Sequence, residues 1–319
     1  MMRALLGLGL IALVAMLLAL AIGSVNVAPA ELWNVVQGEG STLHRTLVLE
    51  LRLPRTLAAF ATGGLLAVAG ALMQVLLRNP LADPYVLGLS GGAAVGALLA
   101  MLTGMGALLI SGSAFAGAML ATLLVFGLAH GTGSWTASRL LLTGVVVAAG
   151  WGAVITLMLA LTPSYKLPSM LYWLMGDVSY ARTPWPALLV LIFAVIAVMP
   201  LARNLNVLAR GTMQAAALGV SVRPLEWTIY LLASLLTATA VTTAGSIGFV
   251  GLIVPHMLRL VLGNDQRIIL PASALAGGTL LVLADTLART VIAPEQLPVG
   301  VITALLGVPT FLYLLHRSR

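Results

Sequence analysis

Long apolar runs alternate with short polar connections along the whole chain. Ten such runs cover residues 1–23, 55–77, 86–104, 109–129, 138–161, 184–202, 227–245, 247–262, 268–288 and 298–315. A helix needs about 20 apolar residues to cross about 30 Å of hydrocarbon, and each run is close to that length. None alternates between apolar and polar residues with a period of two, as the strands of a membrane barrel do. The pattern predicts an all-α integral membrane protein with ten transmembrane helices.

The composition excludes most soluble classes of protein. The chain is 61% hydrophobic and 8% charged, with a mean hydropathy of +1.09, whereas soluble domains carry about 25% charged residues. The net charge of +7 does not indicate nucleic-acid binding, because the basic residues stand singly between apolar runs rather than in a patch. The chain has no cysteine, and therefore neither a disulfide framework nor a thiolate site.

The first apolar run has two interpretations. Arg3 followed by an apolar stretch is also typical of a signal peptide. The stretch is about 19 residues long, however, whereas the apolar core of a signal peptide has about 7 to 15. We therefore expect a retained helix.

The distribution of charge predicts the orientation of the chain. If the amino terminus lies inside, ten basic residues fall at inner ends of the runs and six at outer ends. In the same arrangement most acidic residues fall on the outer side. Because basic residues favour the cytoplasmic side of a membrane, we expect both termini to be cytoplasmic.

Two connections are longer than a turn. Residues 162–183 mix aromatic residues with prolines, and this composition suits the membrane interface. Residues 203–226 predict one or two short helices broken at Gly211 and Gly219, with a nearly uncharged face of alanine and leucine. This face could dock a partner, and the alternative is a surface hairpin that binds nothing.

Few residues could perform catalysis. A phosphate-binding loop needs a glycine-rich turn that ends in Gly-Lys, but the only lysine, Lys166, follows Tyr165. A metal site needs ligands at paired spacings. The four histidines lack such spacing: His44, His130, His256 and His316. Within its apolar run, His256 is either a functional group or a histidine that hydrogen-bonds a neighbouring helix. We expect no enzyme activity, resident cofactor or metal in this chain.

Charged residues avoid the middle of the apolar runs. Asp285 is nearest to an exception, about one turn from the outer end of its run. Carriers driven by a coupled ion usually bury a charged group near the midplane of the membrane. Because no residue here fits that description, the sequence favours an energy source outside the chain.

Glycines recur every four residues at Gly88, Gly92 and Gly96. On one helix they would form a smooth stripe that lets two helix backbones approach closely. The stripe indicates tight packing, and the alternative is a share in lining a pore.

Several long motifs occur in a recognisable order. They are LRLPRTLAAF, AGALMQVLLRNPLADPYVLGLSGGAAVGA, SRLLLTGVVVAAGW, GSIGFVGLIVPHMLRLVLGND, and LADTLART followed by LPVGVITALLGVPTFLYLL. They resemble the permease subunits of FecCD/vitamin B12-type ABC importers, which carry ferric siderophores, haem or vitamin B12 into bacteria. The resemblance runs from about residue 50 to the carboxyl end, whereas the first run and residues 25–45 match only in character.

The resemblance implies one permease domain over residues 1–319 with the fold of a type II ABC importer permease. Two copies would form a homodimer in the bacterial inner membrane, with the pathway at the dimer axis. Two separate cytoplasmic ATPase subunits would bind ATP and magnesium, and a periplasmic binding protein would deliver the chelate. Residues 203–226 would form the segment that couples the permease to the ATPase. Its implicated positions are Arg210, Gly211, Ala216, Leu218 and Gly219.

The resemblance also implies a docking role for three arginines. Arg52, Arg55 and Arg289 match positions that receive glutamates of the binding protein in the vitamin B12 importer of this family. An outward-facing guanidinium group suits this role because its fork pairs both oxygens of a carboxylate. The alternative is that each arginine anchors a helix end at the interface. For Arg78, at the opposite end of its run, such anchoring suffices.

A gate is implied at the cytoplasmic end of the pathway. Asn79, Leu81 and Ser138 resemble residues that narrow it. The vitamin B12 importer has a Thr-Ser pair where this chain has Ala137-Ser138, so the hydroxyl at position 137 is missing. For Asn79 the alternative is a cap or turn residue ahead of Pro80.

The function expected from these features is that of the permease subunit of an ATP-driven metal-chelate importer. The alternatives are an ion-coupled or passive carrier that acts without an ATPase, and a membrane receptor without transport. The choice among siderophore, haem and vitamin B12 stays open. Arg182 near the outer mouth could attract the carboxylates of haem, and Arg182 and Lys166 could equally anchor the chain at the interface.

Overall fold

The structure is a computed structural model that describes residues 2–129, 136–179, 181 and 183–317, without the side chains of Ala137, Leu315 and Arg317. This part of the chain forms helices and no strand, so the predicted all-α class is confirmed. The helices are α1 (Met2–Ala21), α2 (Pro29–Gln37), α3 (Thr42–Arg45), α4 (Leu53–Leu76), α5 (Leu89–Leu102), α6 (Ala107–Ala129), α7 (Ala137–Leu161), α8 (Leu167–Met175), α9 (Trp185–Val198), α10 (Ala202–Leu208), α11 (Thr212–Ala217), α12 (Val222–Ala244), α13 (Val250–Leu262), α14 (Gln266–Thr290) and α15 (Val299–Arg317). A π-helical stretch (Thr46–Arg52) joins α3 to α4, and Pro84–Leu87 and Met199–Leu201 form 3-10 turns.

Each of the ten apolar runs contains a helix. Seven helical stretches in the described part of the chain are long and apolar enough to cross a membrane, whereas α5, α13 and α15 are shorter. Helix α5 begins later than expected because Gly88 takes a left-handed conformation with φ of 71° after the Pro84–Leu87 turn. Helix α13 likewise follows Phe249, whose φ is also 71°. The number of ten membrane-crossing helices therefore stays a prediction.

Helix α4 is the central helix of the bundle. Helices α14, α12, α13 and α9 pack around it, and its residues are almost entirely buried from Ala58 to Leu76. Its sequence is apolar on every side, as is typical of a helix enclosed by others. Many of its residues are alanine or glycine, which let neighbouring backbones come close where packing rather than hydrophobicity holds helices together.

Two glycine contacts show how close this approach is. A Cβ added to Gly63 would lie 2.2 Å from the carbonyl oxygen of Gly277 on α14, and one added to Gly277 would lie 2.4 Å from that of Gly63. A Cβ on Gly70 would lie 1.8 Å from the carbonyl oxygen of Gly251 on α13. No side chain fits at these crossings, because the backbones themselves are in contact.

The glycine stripe of α5 forms a second close contact. Gly92 and Gly96 face α6, where an added Cβ would lie 2.4 Å from the carbonyl oxygen of Gly117 and 2.1 Å from that of Ser113. The tight packing predicted for these two glycines is confirmed. Gly88 does not belong to the stripe, because it precedes the helix in a left-handed conformation. The prediction that all three glycines share one helix face is wrong.

The helical run that contains α4 begins earlier than the sequence indicated. It is continuous from Thr42 to Leu76 over 35 residues, whereas the predicted helix starts at residue 55. The π-helical stretch lies directly before Pro54, whose ring would crowd the carbonyl four residues earlier in a regular helix. The hydrophobic pattern does not predict the extension of the helix to residue 42, because residues 42–52 include charged side chains.

The outer helices present large apolar side chains to their surroundings. Helix α1 packs against α14 through Ala12, Ala15 and Ala19, while Leu6 and Leu10 are exposed. Helix α7 is the least buried of the long apolar helices. Exposed leucines on this scale are unfavourable in water and are expected on a surface that faces lipid.

The backbone contact between α4 and α14 yields a stability prediction. Substitution Gly63→Ala places a methyl group against the Gly277 carbonyl and should destabilise the protein by about 1–3 kcal/mol through overpacking. The thermal unfolding temperature of the detergent-solubilised protein would measure this effect. Gly127→Ala on α6 is the matched control, because nothing lies within 4 Å of its added Cβ. Equal unfolding temperatures for the two variants would contradict the contact.

Candidate functional site: the two polar ends of the bundle

Arg52 binds the carboxyl end of α1. Its Nη1 donates to the carbonyl oxygens of Leu20 (2.7 Å) and Ala21 (3.0 Å), and its Nη2 donates to that of Val25. The last carbonyls of a helix lack partners within the helix and carry partial negative charge, so a guanidinium group satisfies them. Gly23 leaves room for this group, since an added Cβ would lie 2.6 Å from Nη2. Arg52 is 4% exposed and is therefore a structural cap in this conformation.

Asp285 joins the other two arginines. Its carboxylate accepts hydrogen bonds from Arg55 Nε (3.0 Å) and Nη2 (2.9 Å), and it pairs with Arg289 Nε at 3.2 Å. Arg289 Nη2 also donates to the Ala19 carbonyl at 3.2 Å, again at the end of α1. Arg55 Nη1 donates to Gln296 at 2.6 Å. We call Arg52, Arg55 and Arg289 the arginine cluster.

The picture of three outward-facing guanidinium groups is wrong for this conformation. Arg52 and Arg289 are buried, and the side chain of Arg55 is 12% exposed. Asp285, which is 1% exposed, pairs with the guanidinium groups of Arg55 and Arg289. The sequence motifs did not predict these ion pairs. A further carboxylate, that of Asp177, lies 3.9 Å from Arg55. Docking of a partner to the cluster stays a prediction, with Arg55 as its most accessible member.

The candidate gate residues lie in two places. Asn79 Oδ1 accepts a hydrogen bond from the Leu81 backbone N–H at 2.9 Å, so Asn79 acts as a turn residue ahead of Pro80. Ser138 is exposed in the first turn of α7, where the Thr136 side chain caps the helix. In the same loop as Asn79, burial raises the pKa of Asp83 to about 6, although the hydrogen bond from the Tyr85 N–H opposes this shift. A gate role for Asn79, Leu81 and Ser138 stays a prediction.

Arg78 has a backbone conformation that the sequence did not reveal. Its φ is 49°, and it ends α4 in a Schellman motif, in which Arg78 N–H donates to Val75 O and Asn79 N–H to Gln74 O. Glycine is usual at this position, because the left-handed conformation costs other residues about 1–2 kcal/mol. Residues held in such conformations are often found at functional sites.

The 203–226 segment has the predicted breaks. Gly211 (φ 133°) and Gly219 (φ 79°) lie on either side of α11. Ala215 of this helix is buried, whereas Met213 and Ala216 in the helix and Leu218 directly after it are exposed. Arg210 is exposed in the turn before α11. The exposed face is mainly apolar, with the amide of Gln214 on it and the charge of Arg210 nearby. Its role in coupling to an ATPase stays a prediction.

Four further candidates have different outcomes. Lys166 Nζ donates to the Leu102 carbonyl at 2.7 Å and thereby caps the carboxyl end of α5. Arg182 and His130 lie outside the described residues. His256 on α13 is partly buried, and its ring makes no hydrogen bond within the described part of the chain. The expected bond from His256 to a neighbouring helix is therefore not present.

Comparison with known proteins gives consistent matches over almost the whole chain. The model of the FecCD transport family matches residues 11–317. An uncharacterized ABC transporter permease of Bacillus subtilis is 39% identical over 96% of this chain and 91% of its own length. The hemin transport system permease of Yersinia pestis is 39% identical over 96% and 95%. The vitamin B12 import system permease of Vibrio cholerae is 41% identical over 91% and 88%.

Solved structures give the same result for the fold. A metal-chelate type ABC transporter in an inward-facing conformation superposes with a TM-score of 0.89 at 29% identity, covering 99% of this chain and 100% of that chain. PsaBC from Streptococcus pneumoniae, with a TM-score of 0.59 at 17% identity over 88% of this chain and 94% of its own, shares the fold alone. The predicted fold of a type II importer permease is thereby confirmed.

The bridging role of Asp285 predicts a large effect on stability. Asp285→Ala leaves the guanidinium groups of Arg55 and Arg289 without their shared carboxylate, and removal of one partner from a buried ion pair costs about 3–5 kcal/mol. We expect a clearly lower unfolding temperature in detergent. Glu50→Gln is the control at the same end of the bundle, because Glu50 is exposed and has no ion pair among the described residues. A similar unfolding temperature for both variants would contradict the bridging role.

Proposed function

The chain belongs to the FecCD transport family, and on this premise we propose that it is the permease subunit of an ATP-driven importer for a metal chelate. The observation that carries the proposal is the match to this family over residues 11–317, which confirms the resemblance seen in the sequence motifs. The apolar helices and the family together identify an integral membrane protein. ATP hydrolysis belongs to a separate chain in this proposal, since the sequence has no phosphate-binding loop.

The arrangement of the two polar ends supports this proposal. Helix α4 has 24 residues and is therefore roughly 36 Å long, with Arg55 at its start and Arg78 just after its end. Helix α12 starts within the 203–226 segment, at Val222, and ends at Ala244. The Ala244 carbonyl accepts a hydrogen bond from the N–H of Asp177, whose carboxylate lies 3.9 Å from Arg55. The arginine cluster and the 203–226 segment thus lie at opposite ends of the bundle. A protein driven from one side and loaded from the other needs such a separation.

The proposed assembly is a homodimer of this chain with two cytoplasmic ATPase subunits and a periplasmic binding protein. The exposed apolar face of α11 would contact the ATPase, with Arg210, Ala216 and Leu218 at or near the contact. Arg55 would receive a carboxylate of the binding protein, since it is the least enclosed member of the arginine cluster. The assembly would lie in the inner membrane of a bacterium, with both termini of this chain on the cytoplasmic side.

The proposed substrate class is an iron or cobalt chelate of the haem, vitamin B12 or ferric siderophore type. A relative named for hemin and one named for vitamin B12 have nearly equal sequence identity to this chain. Sequence identity therefore does not favour either substrate.

Reconstitution with and without the ATPase tests the proposed function. We expect the chain to co-purify with an ATPase encoded with it, and vesicles that contain both proteins to take up chelate when ATP and the binding protein are supplied. An ATPase variant that cannot hydrolyse ATP is the control and should abolish uptake. Uptake by the chain alone would favour an ion-coupled or passive carrier, and binding without uptake would favour a receptor.

Substitution of Arg55 tests docking separately. We expect Arg55→Gln to weaken binding of the periplasmic protein about tenfold or more, because a charge-assisted hydrogen bond contributes about 1.5–3 kcal/mol. Surface plasmon resonance with the permease in nanodiscs would measure the affinity. Arg45→Gln is the control, since Arg45 is exposed and lies outside the cluster. The unfolding temperature of each variant shows whether weaker binding reflects docking or loss of structure, and unchanged affinity in a folded variant would refute the assignment.

A further inference from the structure

A polar cleft lies at the end of the bundle opposite the arginine cluster. Three parts of the chain enclose its volume of about 630 Å³: the end of α4, α10 with the turn after it, and the connection from α13 to α14. The lining of this polar cleft includes Arg78, Arg210, Arg259, Arg267, Asp265 and Gln266, together with three asparagines and a second glutamine. Its walls are thus rich in arginine and in amide side chains, whereas the helices that lead to it are apolar.

The polar cleft has an excess of positive charge. Four guanidinium groups face one carboxylate, that of Asp265, so the net charge is +3. The Asp265 carboxylate pairs with Arg267 Nη2 at 3.0 Å and accepts a hydrogen bond from Asn206 Nδ2 at 2.8 Å. Hydrogen bonds from these two side chains lower the pKa of Asp265 to about 2. Arg259 donates to neutral groups only, the side chain of Gln74 and the carbonyl of Ala71.

Arg78, Arg210 and Arg259 carry the uncompensated charge, and of these Arg78 and Arg210 have no direct partner in the described part of the chain. Neither side chain makes a hydrogen bond or a direct ion pair within the described residues, and both are exposed. Glu226 on α12 attracts Arg78 electrostatically without direct contact. The two arginines come from distant parts of the sequence, yet they line one cleft.

The strained backbone of Arg78 is an independent sign of function. Arg78 and Phe249 are the two residues other than glycine that have positive φ in the described part of the chain. A glycine would end α4 without strain. The presence of arginine at this position therefore indicates that its side chain is needed there.

The remaining polar groups narrow the chemistry of a ligand. The side-chain oxygen of Gln266 is buried and has no hydrogen-bond donor, although Gln266 lines the cleft. An acceptor without a partner suits a ligand that carries a hydroxyl group beside its charge. The cleft lies where the apolar helices α4 and α13 end and α14 begins, at the depth where basic pockets bind lipid head groups.

We propose that the polar cleft binds a phosphate-bearing anion, with Arg78 and Arg210 gripping the phosphate and Gln266 accepting a hydrogen bond from a ligand hydroxyl. The guanidinium fork matches two oxygens of a phosphate. The bound anion links the end of α4, which leads to Asn79 and Leu81, to the 203–226 segment. The site depends on the membrane location of the chain but not on the substrate proposed above.

The unfolding temperature of the full chain in neutral detergent tests the site. Phosphatidylglycerol should raise it relative to phosphatidylcholine, and the effect should weaken in high salt because salt screens exposed charges. In Arg78→Gly and Arg210→Gln we expect the apparent affinity for phosphatidylglycerol to fall about tenfold or more, as a charge-assisted hydrogen bond is lost. Arg203→Gln is the matched control on α10, since Arg203 is exposed and does not line the cleft.

The Arg78→Gly variant separates loss of binding from loss of structure. Without any anion its unfolding temperature should equal or exceed that of the unsubstituted protein, because glycine relieves the strained turn. The phosphate could belong to a lipid head group or to a soluble anion. Unfolding temperatures measured with glycerol 3-phosphate and with inorganic phosphate distinguish these two sources. If they stabilise the protein as well, the site takes a soluble anion, and if only phosphatidylglycerol does, it takes a lipid head group. The proposal fails if no anion stabilises the unsubstituted protein, or if Arg78→Gly and Arg210→Gln respond as Arg203→Gln does.

Discussion

Direct backbone contact between α4 and the helices around it is the constraint on which the rest of the structure depends. Gly63 lies against Gly277 of α14, and Gly70 lies against Gly251 of α13, with no room for a side chain between them. In lipid, helices associate through close packing and polar contacts, because the surrounding chains are as apolar as the helices. The position of α4 along its axis is therefore fixed by steric fit, and both of its polar ends are fixed with it.

The two ends use arginine in opposite ways. At the start of α4, guanidinium groups are buried against the carboxyl end of α1 and around Asp285, so that charges and unpaired carbonyls satisfy one another. At the other end, Arg78 sits in a turn that glycine would occupy without strain, and its side chain has no direct partner. The first end is internally satisfied, whereas the second leaves charge available for a ligand.

This difference bears on how a permease of the FecCD transport family could be loaded and driven. A partner that docks at the arginine cluster meets guanidinium groups that already hold Asp285, so its carboxylates would have to compete with an internal one. At the opposite end the 203–226 segment forms one wall of the polar cleft, and the loop after α4 forms another. Helix α11 follows the turn that holds Arg210, so the cleft adjoins the segment proposed above to contact an ATPase.

The amino-acid sequence alone predicts the helical class, the approximate extent of the apolar helices, the breaks at Gly211 and Gly219 and the family. Hydrophobic runs, glycine breaks and ordered motifs are local features, so they can be recognised without knowing how the helices pack. The packing of the helices was needed to show that Arg52 is buried, that Asp285 bridges Arg55 and Arg289, and that Arg78 and Arg210 share a cleft. Arg55 and Asp285 are separated by 230 positions, and their pairing depends on which helices lie side by side. The left-handed turn at Arg78 was equally hidden, because it follows from how α4 ends against its neighbours and not from the residue type.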